Sequence, residues 1–439
     1  MSELPLAVAE DENPDPDVLE VTLHARVENM EVVAGKTTPV WTYGGTLPGP
    51  LLRLTAGDRL VVHFVNDLPE ATTIHWHGIR LPVEMDGSPH SQAPVEPGET
   101  FTYDFVAPDP GTYWYHPHVH DAAQLGFGLY GALIVDPPAP PPAELGDEVV
   151  LVLSDIAVRD DGSLAPGDEG GDLATLFGRE GGVLLVNGVV QPTLHARNGK
   201  RQRWRIVNAA KSRYFLLGLT GHSFQRIGGQ TGMYGDAVPS DELLLAPGER
   251  ADVVVEPRGA DGATEQLMWL PFDRGYGSFE FRDPIPILDM EIVGDAIEEA
   301  PLALPAVAPI EPLDPNGAED VHIRLTKETD AEGALHMGVN GVAFDTAIPA
   351  QVGQTQRWQI DNEMEWDHPF HLHGFFFQRL DDDGRPSEPV EWLDTVNVPK
   401  EGSVEMLVRY DNRPGPWMFH CHILDHADAG MMGMIDLMP

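Results

Sequence analysis

One stretch of sequence recurs along this chain, and that recurrence limits it to an array of similar folded units. VNGVVQPTLHARNGKRQRWRIVNAA begins at Val186, and VNGVAFDTAIPAQVGQTQRWQIDN begins at Val339. Each runs on to a matching Phe-Gln-Arg, at Phe224–Arg226 and at Phe377–Arg379. GTYWYHPH from Gly111 pairs in the same way with GPWMFHCH from Gly415. LRLTAGDRLVVHFVNDL supplies a first copy of the remaining half. A unit of about 130–150 residues is therefore present three times.

The alternation in RWRIV and RWQID reads as half-buried strands. The abundant Gly and Pro (45 and 40 residues) read as the turns between many short strands. The expected fold is all-β, each unit a β-sandwich. Proline-rich stretches at Asp136–Leu145 and Ala300–Pro315 place the boundaries near 1–138, 139–299 and 300–439.

Eight of the 18 histidines fall into four His-x-His pairs: His75/His77, His116/His118, His371/His373 and His420/His422. In a strand, residues i and i+2 face the same way, so each pair aims two imidazoles at one place. Two pairs lie in the first unit and two in the third, and GLTGHSF in the second has none. The first and third units are thus expected to meet around one multinuclear metal site of the kind imidazole favours. His24, His63, His195, His222, His322 and His336 lack that spacing and read as ordinary. His120, in HPHVH, is expected to pack or face solvent.

The single cysteine, Cys421, excludes an internal disulfide. Alternation puts it on the opposite face of its strand from His420 and His422. His426 and Met431 follow it, and His368 precedes the third pair. Cys, two His and a weak Met form the ligand set of a blue-copper electron-transfer centre.

HWHG, WYHPH, HPFHLHG and HCHILDHADAGM stand here in the order in which they occur in the multicopper oxidases, and nearly the whole chain resembles the three-domain laccases of that family. The resemblance implies three cupredoxin-like Greek-key β-sandwich domains and four copper ions. His368, Cys421, His426 and Met431 would hold the type 1 ion, with Met432 a poorer axial candidate. His75 and His371 would hold the type 2 ion. His77, His116, His118, His373, His420 and His422 would hold the type 3 pair.

The implied activity is one-electron oxidation of phenols, aromatic amines or similar donors, coupled to reduction of dioxygen to water. The alternative is a metallo-oxidase acting on Cu(I), Fe(II) or Mn(II). Such members often carry a Met-rich insertion, and Met364, Met431, Met432, Met434 and Met438 do not amount to one. Electrons are expected to enter at an exposed edge of His426. Donor choice is assigned to the loops Leu173–Gly182, Asp273–Asp283 and Asp381–Glu388. Oxygen reduction consumes protons, and Asp86, just before Gly87, is the expected acid. Many bacterial members carry Glu directly after the second type 1 histidine. Ala427 stands there, leaving Asp428 or Asp425 as replacements.

The net charge of −43 excludes nucleic acid and anionic membrane as direct partners and favours cationic or neutral donors. With five Lys among 27 basic residues, the acidic surface also resembles adaptation to high salt. No apolar run approaches the length of a membrane span. The expected partners are a small reducing molecule and dioxygen, and the expected state is a monomer. The first residues do not read as a secretion signal. The protein is expected in the periplasm or outside the cell if a signal has been removed, and otherwise in the cytoplasm.

Overall fold

The computed structural model describes residues 4, 6–139, 142–276, 282–304, 310–329, 335–341 and 346–439. The described residues form six β-sheets, two from each third of the chain. Residues 18–136 supply two four-stranded sheets, residues 147–293 a six- and a five-stranded sheet, and residues 319–438 two five-stranded sheets. The repetition seen in the sequence reappears as topology. In every third, the opening strand runs parallel to a later one: Val18–Val33 beside Arg59–Asn66, Asp147–Ile156 beside Gln202–Asn208, and Glu319–Thr329 beside Thr355–Asn362. In the second sheet of each third, a strand is paired in parallel with the last strand of its unit: Gly49–Thr55 with Gly131–Asp136, Thr193–Arg197 with Ile285–Val293, and Ala347–Gln351 with Met432–Met438.

Thr355–Asn362 is half-buried, as its alternation predicts, with Gln356, Trp358, Ile360 and Asn362 inside. Its counterpart Gln202–Asn208 is buried on both faces instead. The reason is docking between thirds. Val207 packs with Leu51 and Trp114 of the first third, and Arg205 reaches the Gly111 carbonyl and the Thr112 hydroxyl there, while Arg203 pairs with Asp252 and Arg205 with Glu148 inside the middle third. Side chains that read as solvent-facing in the sequence are satisfied at an interface. One apolar core runs continuously through the first and last thirds, while the middle third has a core of its own. Both linker stretches include residues outside those described (140–141 and 305–309), as does the Asp273–Asp283 loop (277–281).

Among the described residues, three short α-helices complete the fold: α1 (Asp121–Gly126), α2 (Gly171–Phe177) and α3 (Leu424–Asp428). α1 and α3 follow the second and fourth histidine pairs in the chain, and α2 meets His426. Among the described residues, no helix is long and apolar enough to cross a membrane.

Candidate metal centre

Strand register brings the histidines together. His75–His77 runs antiparallel to Gly111–His116 with His75 opposite His116, and His368–Leu372 runs antiparallel to Gly415–Cys421 with His371 opposite His420. The two strand pairs face each other across the contact between the first and last thirds. His75 Nε2 lies 3.4 Å from His371 Nε2. His420 Nε2 lies 3.1 Å from His373 Nε2 and 3.4 Å from His118 Nε2. The rings of His77 and His422 are 5.0 Å apart and those of His116 and His422 are 5.5 Å apart. All eight are buried.

The tautomers are fixed by their partners. A carbonyl only accepts, so Nδ1 carries the proton in His75 (to Asp86 O, 2.8 Å), His371 (to Asp394 O, 3.0 Å), His116 (to Pro117 O, 2.8 Å) and His420 (to Cys421 O, 3.0 Å). The facing Nε2 atoms therefore present lone pairs to one another, an arrangement that only a cation relieves. A proton does not serve. Burial holds His77, His116, His373, His420 and His422 well below the ordinary histidine range and takes His118 to about 3. His77 Nδ1, His116 Nε2 and both His422 nitrogens are buried without a partner. These are the marks of a metal site with its ligands already oriented.

A second donor group lies on the other face of the Gly415–Cys421 strand. His368, Cys421 and His426 are buried with ligand atoms within 4.8 Å of one another. Cys421 Sγ is 3.5 Å from His426 Nδ1, whose lone pair faces it because Nε2 donates to the Leu176 carbonyl at 3.1 Å. Neither nitrogen of His368 has a partner. Met431 is fully buried, and its carbonyl accepts from Cys421 N at 3.1 Å. Burial pushes the Cys421 thiol up, so a metal must displace its proton. An all-imidazole cluster beside a thiolate–imidazole–thioether set fits copper and excludes magnesium and calcium.

Sequence models of the multicopper oxidase family match residues 24–140, 147–263 and 314–438. A multicopper oxidase of Mycobacterium tuberculosis is 31% identical over 92% of this chain and 84% of its own length. This chain belongs to the multicopper oxidases. A solved multicopper oxidase of Campylobacter jejuni, described as a metallo-oxidase, superposes with a TM-score of 0.86 at 28% identity, over 98% of this chain and 94% of that one. A laccase of Pediococcus acidilactici gives 0.85 at 28% identity, over 99% and 93%. The oxidase therefore has cupredoxin-like domains, binds copper, and takes electrons from small-molecule or metal-ion substrates to dioxygen.

The acids named from the sequence occupy distinct places. Asp86 is buried and accepts from His373 Nδ1 at 2.9 Å, with His75 Nδ1 at 3.4 Å. Burial alone would raise its carboxyl, but the two imidazoles hold it well below the usual carboxylate range. It also stands at the end of a short 3-10 turn, Val83–Met85. Asp428 is exposed and accepts the backbone N–H groups of Asp121 and Ala122 at the start of α1. Asp425 is buried and committed to the middle third, accepting from Arg179 N at 2.7 Å and Ser212 Oγ at 3.2 Å. Ala427 is buried. His120 faces solvent.

One expectation is corrected: His426 has no exposed edge. It is 0% exposed because α2, the start of the Leu173–Gly182 segment, lies over it. Sequence reasoning also missed Asp394, which accepts from His77 Nε2 at 3.1 Å and forms a two-pronged ion pair with Arg250 at 2.7 and 2.6 Å. It missed Asp121 as well, 3.2 Å from His118 Nδ1. Neither acid has a motif spacing of its own. Only the folded chain brings them to the imidazoles.

Proposed function

We propose that this multicopper oxidase is laccase-like, oxidising phenols, aromatic amines or similar donors one electron at a time and reducing dioxygen to water. The observation that carries this reading is the sequence His420-Cys421-His422 at the end of one strand, with the thiol directed to one donor group and the imidazoles to the other. His368, Cys421, His426 and Met431 would hold one type 1 ion. His75 and His371 would hold the type 2 ion, and His77, His116, His118, His373, His420 and His422 the type 3 pair. When bound, these four copper ions would supply one-electron acceptance at Cys421 and four-electron delivery to dioxygen at the imidazoles.

The chain contributes connection, orientation and protons. The Cys421 backbone links Sγ covalently to both neighbouring imidazoles, which makes it the natural electron path. Asp86 fixes the proton on His373 Nδ1 and so keeps Nε2 free. Asp86 and Asp428 are the carboxylates we assign to proton supply, Asp428 from the solvent side beside Asp121. The three cupredoxin-like domains are taken as residues 1–138, 139–299 and 300–439. The working unit is a monomer.

A second reading, oxidation of Cu(I), Fe(II) or Mn(II), is favoured by one observation: the covered His426 leaves no edge for an aromatic ring to touch. The absorption spectrum of the copper-loaded protein tests the common ground. A strong visible thiolate band with a near-ultraviolet shoulder is expected, and Cys421→Ser should lose both the band and oxygen consumption while remaining folded. A Cys421→Ser protein that still consumed oxygen at the full rate would overturn the assignment. Steady-state kinetics with a phenol beside Cu(I) separates the two donor classes.

A further inference from the structure

The covering of His426 is fastened to the element that carries this imidazole by the side chain of Arg179. α2 does not hold itself in place: none of its residues is buried, and Leu173 is 71% exposed. A helix of this length is marginal alone. Phe177 gives it one aromatic anchor, stacked on Tyr276 at 4.6 Å and edge-on to Trp366 at 5.5 Å, and Arg274 Nη2 donates to the Phe177 carbonyl at 2.7 Å. Arg179 does the rest. Its guanidinium donates to the Glu169 carbonyl at 2.7 Å, the Gly171 carbonyl at 3.3 Å and Thr175 Oγ1 at 3.0 Å. The same guanidinium forms an ion pair with Asp425, which also accepts the Arg179 backbone N–H at 2.7 Å. Asp425 stands next to His426 on α3 and has no solvent exposure at its side chain. Arg179 thus ties both ends of α2 to the element that carries the buried imidazole.

We infer that Arg179 is a specificity-determining residue: by holding α2 over His426 it keeps bulky aromatic donors out of contact with that imidazole and slows their oxidation relative to that of small cationic donors. The inference rests on His426 being a type 1 ligand. A small ion needs no ring-on-ring contact, and the acidic residues Asp168, Glu169 and Asp172 around α2 attract positive charge. A phenol, by contrast, must stack close to the imidazole for efficient electron transfer, and the Leu176 carbonyl and its helix occupy that position.

The test uses the copper-loaded full chain and its Arg179→Ala variant, assayed with 2,6-dimethoxyphenol and with Cu(I). Expected is a rise of about tenfold in kcat/KM for the phenol, with the Cu(I) value, the copper content and the visible thiolate band unchanged. Arg179→Lys, which keeps the charge but not the planar fork, should fall between the two. Parallel change for both donors would mean a general structural role and would overturn the inference, as would no change for the phenol. A second variant replaces Gly171–Phe177 with three glycines and leaves Arg179 and Asp425 intact. It must raise the phenol-to-Cu(I) ratio too; if it does not, the helix is not what selects donors. An unaltered protein that lacked the thiolate band when loaded with copper would instead remove the type 1 assignment beneath the inference.

Discussion

Asp394 ties all three thirds of the chain to one point. Its carboxylate accepts from His77 of the first third and pairs with Arg250 of the middle third, while its backbone carbonyl accepts from His371 Nδ1. Both members of the ion pair are essentially unexposed. Removing one charge of such a pair leaves the other buried and uncompensated, which costs about 3–5 kcal/mol. Asp394→Ala should therefore lower the unfolding free energy of the metal-free protein by that much, seen as a lower urea midpoint, and reduce its copper content after loading. An unchanged midpoint would mean that Arg250 finds another partner.

Acidity acts through the same buried residues. Histidines in the unfolded chain take up protons near pH 6.5. The buried imidazoles of His426 and His118 do so only lower down, at about 4 and about 3, because burial disfavours the charged ring. Below about pH 6.5 the unfolded state thus binds more protons than the folded one. The stability these groups contribute is complete above that pH and is lost as the pH falls. Urea unfolding of the metal-free protein at pH 7.5 and 5.5 should show the lower midpoint at 5.5.

At the scale of elements, alternation along one strand separates the two metal centres, and tight turns set the walls. The turn after Glu242–Leu245 brings Gly248, at φ +86°, against the cluster. A Cβ there would meet His422 Cδ2 at 2.9 Å and His77 Cε1 at 3.0 Å. Gly248→Ala combines that approach with a conformation L residues rarely adopt, a strain of about 1–3 kcal/mol. The variant should lose the near-ultraviolet shoulder while keeping the visible thiolate band, since the turn touches imidazoles we assign to the type 3 pair and not the Cys421 group. Loss of both bands together would place the strain elsewhere. The strands holding the histidines were legible from spacing alone, because a period of two is local. α2 was not. Its seven residues carry no amphipathic pattern that buries a face, and its importance comes from the carbonyl of Leu176 rather than from any side chain.

For the whole molecule, 70 acidic against 27 basic residues make self-repulsion a standing cost. Raising salt from 0.1 to 1 M shortens the screening length from about 10 Å to about 3 Å. The melting temperature should rise over that range, and a flat response would mean that the acidic groups are already compensated locally. By itself the sequence determined the repeated β unit, the pairing of imidazoles within each strand, and the opposite facing of Cys421. All three follow from local periodicity, which the backbone imposes wherever the strand lies. Only the tertiary structure decided that the outer face of Gln202–Asn208 is an interface, that Asp394 and Arg250 meet at the cluster, and that His426 lies beneath a helix of the middle third. Those outcomes depend on where separate units dock, and docking is settled by complementary surfaces far apart in the chain, for which no residue spacing exists.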